Sequence, residues 1–187
     1  MSTRLGWIEK AMMLVPGYRG YKKRELLRED DRLIRRYVAD LLREASSNLQ
    51  KAVSEITQKL GSQLVNITQI PGNPIQQLEA VASRLYSIAG EVEHLEMGYQ
   101  PKFDRLTVEE PELRKLMEID NAMIGYANVI KETSKQILDQ ARAQGWFDTR
   151  LIITILQSLD EIEKIISERR RFLHGGEPVT KGELGTF

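Results

Sequence analysis

The residues best able to do chemistry lie mid-chain. Glu91-Val92-Glu93-His94 contains Glu-x-x-His. On a helix, residues three apart share a face, so Glu91 and His94 could reach one metal ion. Ferritin-like di-iron bundles need two such pairs plus a glutamate from each of two other helices. The chain has 2 histidines, His94 and His174, and Arg171 stands where the second pair would need a carboxylate. A di-iron site is therefore not expected. A mononuclear site would use Glu91, His94 and either Glu118 or Asp120. Glu and His meet at helical spacing often by chance, so the expectation is no metal and no cofactor.

Asp120 falls within an otherwise apolar helical stripe. A buried lone carboxylate is costly, so it should pair or sit at a wet edge. Arg114 and Lys115 are near in sequence, and Arg84 could approach across a bundle. The bland role is that of a polar residue that sets helix register. Asp160-Glu161-Ile162-Glu163 and Glu168 precede Arg169-Arg170-Arg171. Glu168 and Arg171 can pair at i,i+3, and cations near a helix C-terminus oppose its dipole favourably. Three arginines in a row are a weak phosphate signal. No glycine-rich phosphate loop and no Gly-x-Ser-x-Gly elbow occurs. Cysteine is absent, which excludes disulfides, thiolate metal sites and a cysteine nucleophile. No catalytic residue is nominated.

The N-terminal quarter is the most distinctive region. Leu5, Ile8, Met12 and Val15 recur at helical spacing, with Trp7 beside them and Arg4 and Lys10 close by. Pro16-Gly17-Tyr18-Arg19-Gly20-Tyr21 is a turn-rich linker, and Lys22, Lys23 and Arg24 follow at once. Trp and Tyr favour a membrane–water interface, and Arg and Lys favour anionic headgroups. Arg4, Leu5, Trp7, Ile8, Lys10, Met12, Tyr18, Arg19, Tyr21, Lys22, Lys23 and Arg24 are thus candidate contacts for a membrane or another helical protein. The competing reading packs residues 3–15 as a minor helix on the bundle. An aromatic-plus-basic cluster can also hold single-stranded nucleic acid.

The elements that carry these residues read as helices, and no segment reads as a strand. One pattern runs from about Tyr21 to Ile70 through Ile34, Val38, Leu41, Ala45, Leu49, Ala52, Ile56, Leu60, Leu64 and Ile67. Its mean spacing of about 3.7 residues is nearer an eleven-residue than a seven-residue repeat. Ser46-Ser47-Asn48 favour caps over helix interiors, so a break or bend is expected there. Pro71-Gly72-Asn73-Pro74 is a boundary. Asn73 suits an N-cap, Pro74 the first helical position, and Gln76 a capping box. The next helix runs to about Met97, with Ile75, Leu78, Ala82, Leu85, Ala89, Val92 and Leu95 inward, and stops at Gly98. Thr107 and Glu110 open a fourth, which ends at Gln144 before Gly145. Its stripe of Leu113, Leu116, Asp120, Met123, Ala127, Ile130, Ser134, Ile137 and Ala141 is a heptad seam. Trp146-Phe147 can back a C-cap, and Asp148 can cap the fifth helix, which runs to about His174. Leu151-Ile152-Ile153 and Ile155-Leu156 should be central in the core or in a subunit interface.

The fold class is therefore all-α, an antiparallel bundle of four long helices preceded by a short amphipathic helix. Residues 1–20 form the amphipathic helix and linker, 21–174 the bundle, and 175–187 a flexible tail. At 187 residues this is one domain with a tail. The layout is similar in outline to that of membrane-remodelling helical proteins, an analogy of architecture that does not fix function.

Net charge is zero, from 27 basic and 27 acidic residues, but it is unevenly spread. Residues 1–45 hold 11 Lys/Arg against 7 Asp/Glu, whereas residues 71–125 hold 5 against 10. Such asymmetry suits head-to-tail association or an end that faces an anionic surface. No apolar run approaches the ~18 residues of a membrane span, and no signal peptide is visible. The basic helix of residues 21–45 has no obvious intramolecular partner over its full length. Leu26, Leu33, Ile34, Val38 and Leu41 are therefore expected to form a self-association face in a homo-oligomer. The functional expectation is a non-enzymatic, self-associating scaffold or adaptor in the cytoplasm, peripheral on a membrane's inner face. A nucleic-acid-binding helical module is the alternative, with a bundle metal protein or enzyme third.

Overall fold

A computed structural model describes residues 24–61, 73–95 and 110–173. The side chains of residues 24–31, 110–114, 117, 172 and 173 lie outside that description. All described elements are helices: α1 (Arg24–Leu60), α2 (Pro74–Glu93), α3 (Glu110–Gln144) and α4 (Arg150–Leu173). At ~1.5 Å per residue, the 37 residues of α1 and 35 of α3 run about 55 and 52 Å. The 20 residues of α2 and 24 of α4 run about 30 and 36 Å.

Each apolar stripe faces inward. Ile34, Val38, Leu41, Ala45, Leu49, Ala52 and Ile56 of α1 are buried. So are Ile75, Leu78, Ala82, Leu85, Ala89 and Val92 of α2, and Leu95 just beyond it. On α3 the seam from Leu116 to Ala141 is buried at every position, Asp120 and Ser134 included. Ile152, Ile155, Leu159, Ile162, Ile165 and Ile166 complete the core from α4. Full burial of such side chains stabilises by roughly 1.5–3 kcal/mol each, so this one core dominates folding.

Consecutive helices run antiparallel, but they do not follow one another around the bundle. α1 packs against α2 and α3, and α4 packs against α3, with a slimmer contact to α2. The cross-contacts fix the directions. Lys131 pairs with Glu44, Asn48 bonds Ser134, and Arg142 pairs with Glu55, so α1 and α3 are parallel. Arg84 pairs with Glu163 and Arg170 with Glu91, so α2 and α4 are parallel too. Two antiparallel hairpins thus lie side by side.

The expected break at Ser46-Ser47-Asn48 is absent, and α1 passes straight through. Two of the three polar side chains are consumed between helices instead. Ser46 Oγ donates to the Ala82 carbonyl of α2 at 2.7 Å, and Asn48 Nδ2 donates to Ser134 Oγ of α3 at 3.2 Å. With those partners the side chains need not compete for the backbone of their own helix.

The helix ends follow local rules. Asn73 Oδ1 accepts from the Gln76 amide at 2.9 Å, with Pro74 in the first helical position. Gly145 takes φ +73° and its amide reaches the Ala141 carbonyl at 2.9 Å, which ends α3 in a left-handed cap. Phe147 is buried and Trp146 half-buried behind it, their rings 5.8 Å apart. Asp148 Oδ1 accepts from the Arg150 amide at 3.0 Å and opens α4. Of the apolar run on α4, Ile152 and Ile155 enter the core and Leu151 and Leu156 pack on its edge. Ile153 is 55% exposed. α1 ends at Leu60, before Gly61 at φ +49°, and α2 ends at Glu93 with His94 as its cap, short of the expected ends at Ile70 and Met97; the expected start at Thr107 lies outside the described residues.

Candidate functional site

Several charged contacts lie toward the end of the bundle where α1 begins. α2 and α4 finish there and α3 starts there. Arg35, buried on α1, donates to the Leu95 carbonyl and, at 3.2 Å, to the Glu93 carbonyl at the end of α2. At the opposite end Lys59 donates to the Ala141 carbonyl at 3.3 Å and to the Arg142 carbonyl of α3. Two cations of α1 therefore serve the electronegative C-termini of its two neighbours. Arg43 pairs with Glu93 and, at 3.4 Å, with Asp40. The hydrogen bond from Arg43 holds the Glu93 carboxyl below the usual carboxylate range, with His94 and Arg36 adding weaker attraction.

The metal candidates do not converge. Glu91 pairs with Arg170 at 2.7 Å. His94 caps α2, its Nδ1 2.9 Å from the Gly90 carbonyl of its own last turn. Asp120 is 2% exposed and pairs with Arg169, 3% exposed, at 3.6 Å across the α3–α4 seam. Among the described residues no group of three His, Asp or Glu side chains could hold a metal ion.

Three further pairings differ from the sequence reading. Asp120 meets Arg169, and neither Lys115 nor Arg84 is its partner here, while the side chain of Arg114 lies outside the described residues. Lys115 takes Glu168 at 2.9 Å, and Arg84 bridges Asp160 and Glu163 at 2.8 and 2.9 Å. Glu168 is thus turned inward, away from Arg171. The arginine run divides by helical rotation. Arg169 points into the core, Arg170 to α2, and Arg171 into solvent. Sequence reasoning missed Arg169 as a core residue. The signal was its place one helical turn beyond Ile165 and Ile166, in the stripe that α4 buries.

The proposed self-association face is corrected. Ile34, Val38 and Leu41 are buried within the chain's own bundle, and Leu33 packs partly against the same core. α1 packs against α2 and α3 there. The side chain of Leu26 lies outside the described residues. Of the candidate contact residues, Arg4 to Lys23 lie outside them as well, and Arg24 is described only as the first residue of α1.

Most described cations are engaged, but Arg32, Arg36, Lys51, Lys135 and Arg171 form no ion pair among the described residues. Among the described residues the exposed large apolar side chains are scattered singly: Tyr86, Val129 and Ile153. Among the described residues no helix is long and apolar enough to cross a membrane. Comparison with protein-family models, curated proteins and solved structures gives no match for this chain.

Proposed function

We propose that this chain is a non-enzymatic helical adaptor, attached peripherally to an anionic membrane on its cytoplasmic face by residues 3–24. One observation carries the reading. The groups best suited to chemistry are spent on structure: Glu91 on Arg170, Asp120 on Arg169, His94 on the end of its own helix. The self-association face is not part of the proposal, because Ile34, Val38 and Leu41 fill the core. Attachment rests on the sequence: the apolar row of Leu5, Ile8 and Met12 with Trp7, followed by Arg19, Lys22, Lys23 and Arg24. Each basic residue near an anionic surface contributes about 1 kcal/mol, and an apolar helix face adds to it.

Co-sedimentation with vesicles tests this. The full chain is expected to bind phosphatidylserine-containing vesicles and not pure phosphatidylcholine, with binding that weakens as salt is added. Trp7→Ala, and separately the triple change Lys22→Gln, Lys23→Gln and Arg24→Gln, should each reduce it. Equal partition onto both vesicle types, or none onto either, overturns the reading.

A further inference from the structure

The four described helices pack in the order α2, α1, α3, α4, and the ring closes at α2–α4, its slimmest contact. Side-chain size accounts for the difference. α1 buries Ala39, Ala45, Ser46 and Ala52, and its neighbours bury Ala82, Ala89, Ala127, Ser134 and Ala141. Small residues let helix axes come close. α4 instead buries Ile152, Ile155, Leu159, Ile162, Ile165 and Ile166, whose bulk sets a wider spacing.

The polar links differ in the same sense. α1 bonds the α2 segment from buried positions, Ser46 to the Ala82 carbonyl at 2.7 Å and Arg35 to the Leu95 carbonyl. α4 meets α2 through Arg84 with Asp160 and Glu163, and through Arg170 with Glu91. These five side chains keep 38–54% of their surface in water, where an ion pair adds little. On its other side α4 is held to α3 by the buried pairs Arg169–Asp120 and Glu168–Lys115. Both charges of such a pair regain water when the helices part. These pairs therefore grip no more firmly than apolar residues of the same size would.

We propose that α4 is the moving part of the bundle. It opens as a unit at the α2–α4 seam, turning on residues 145–149, while α1, α2 and α3 stay packed. Ile152, Ile155, Leu159, Ile162 and Ile166 recur at spacings of 3, 4, 3 and 4, the kind of stripe by which an amphipathic helix is recognised. The closed bundle hides that stripe, and the open one presents it. This motion is independent of whether residues 3–24 meet a membrane.

Native-state hydrogen exchange of the full chain tests it. The slowest amides of α4, between Leu159 and Ile166, should exchange about tenfold faster than the slowest of α1, between Leu41 and Ile56. Ala52→Gly weakens α1, whose close neighbours are α2 and α3. It should speed exchange in α1 about fivefold and leave α4 unchanged, because α1 stays packed while α4 opens. Arg84→Gln removes two of the links across the seam and should speed α4 about threefold. Equal protection of the two helices in the parent, or acceleration of both by Ala52→Gly, means that they part only in global unfolding and overturns the proposal. An α4 that does not respond to Arg84→Gln overturns the seam as the place where it opens.

Discussion

At the scale of single residues, burial decides what an ionisable side chain is for. Asp120 occupies a seam position between Leu116 and Met123, where an apolar residue would fit. Arg169 answers its charge from α4. Removing one member of a buried pair leaves the other charge stranded, which costs about 3–5 kcal/mol, whereas replacing both with apolar groups is often neutral. Arg169→Met alone should therefore lower the unfolding free energy by that amount in urea. Asp120→Leu combined with Arg169→Met should recover most of it. Equal losses in the single and double variants would show that the two charges act independently. The need of Asp120 for a partner was legible in the heptad spacing. The partner's identity was not, because Arg169 is 49 positions away and reaches Asp120 only through the way α4 lies on α3.

At the scale of elements, most boundaries followed from local chemistry. Asn73-Pro74, Gly145 and Asp148 terminate helices by backbone rules that act within a few residues. Gly145 has a second constraint. A Cβ there would stand 3.2 Å from Lys59 Cδ, and φ +73° is strained for any residue with a side chain. Gly145→Ala should destabilise by about 1–2 kcal/mol, read from the thermal midpoint. A change below a few tenths of a kcal/mol would mean that the α3–α4 turn relaxes. The break expected in α1 shows where local rules stop. Ser46 and Asn48 disfavour a helix on their own, but hydrogen bonds to α2 and α3 outweigh that preference.

At the scale of the whole molecule, the two long helices solve the problem that the basic segment posed. α3 lies parallel to α1 and α2 antiparallel, so the apolar face of α1 from Ile34 to Ile56 is covered by both. A fold completed inside one chain unfolds independently of concentration, whereas an obligate oligomer does not. The urea midpoint should accordingly stay constant over a hundredfold range of protein concentration. A midpoint that rises with concentration would mean that a second copy shares the core.

The sequence by itself determined the helical class, the inward stripes and most of the caps, because periodicity and capping depend on neighbours within a turn or two. It also marked Asp120 and the N-terminal basic residues as unusual. Only the tertiary structure decided which helices are adjacent, that Ile34, Val38 and Leu41 face α2 and α3 rather than another chain, and which cations are taken. Those outcomes depend on contacts between residues 36 to 87 positions apart, where the closeness of two helices comes from burying their shared apolar surface.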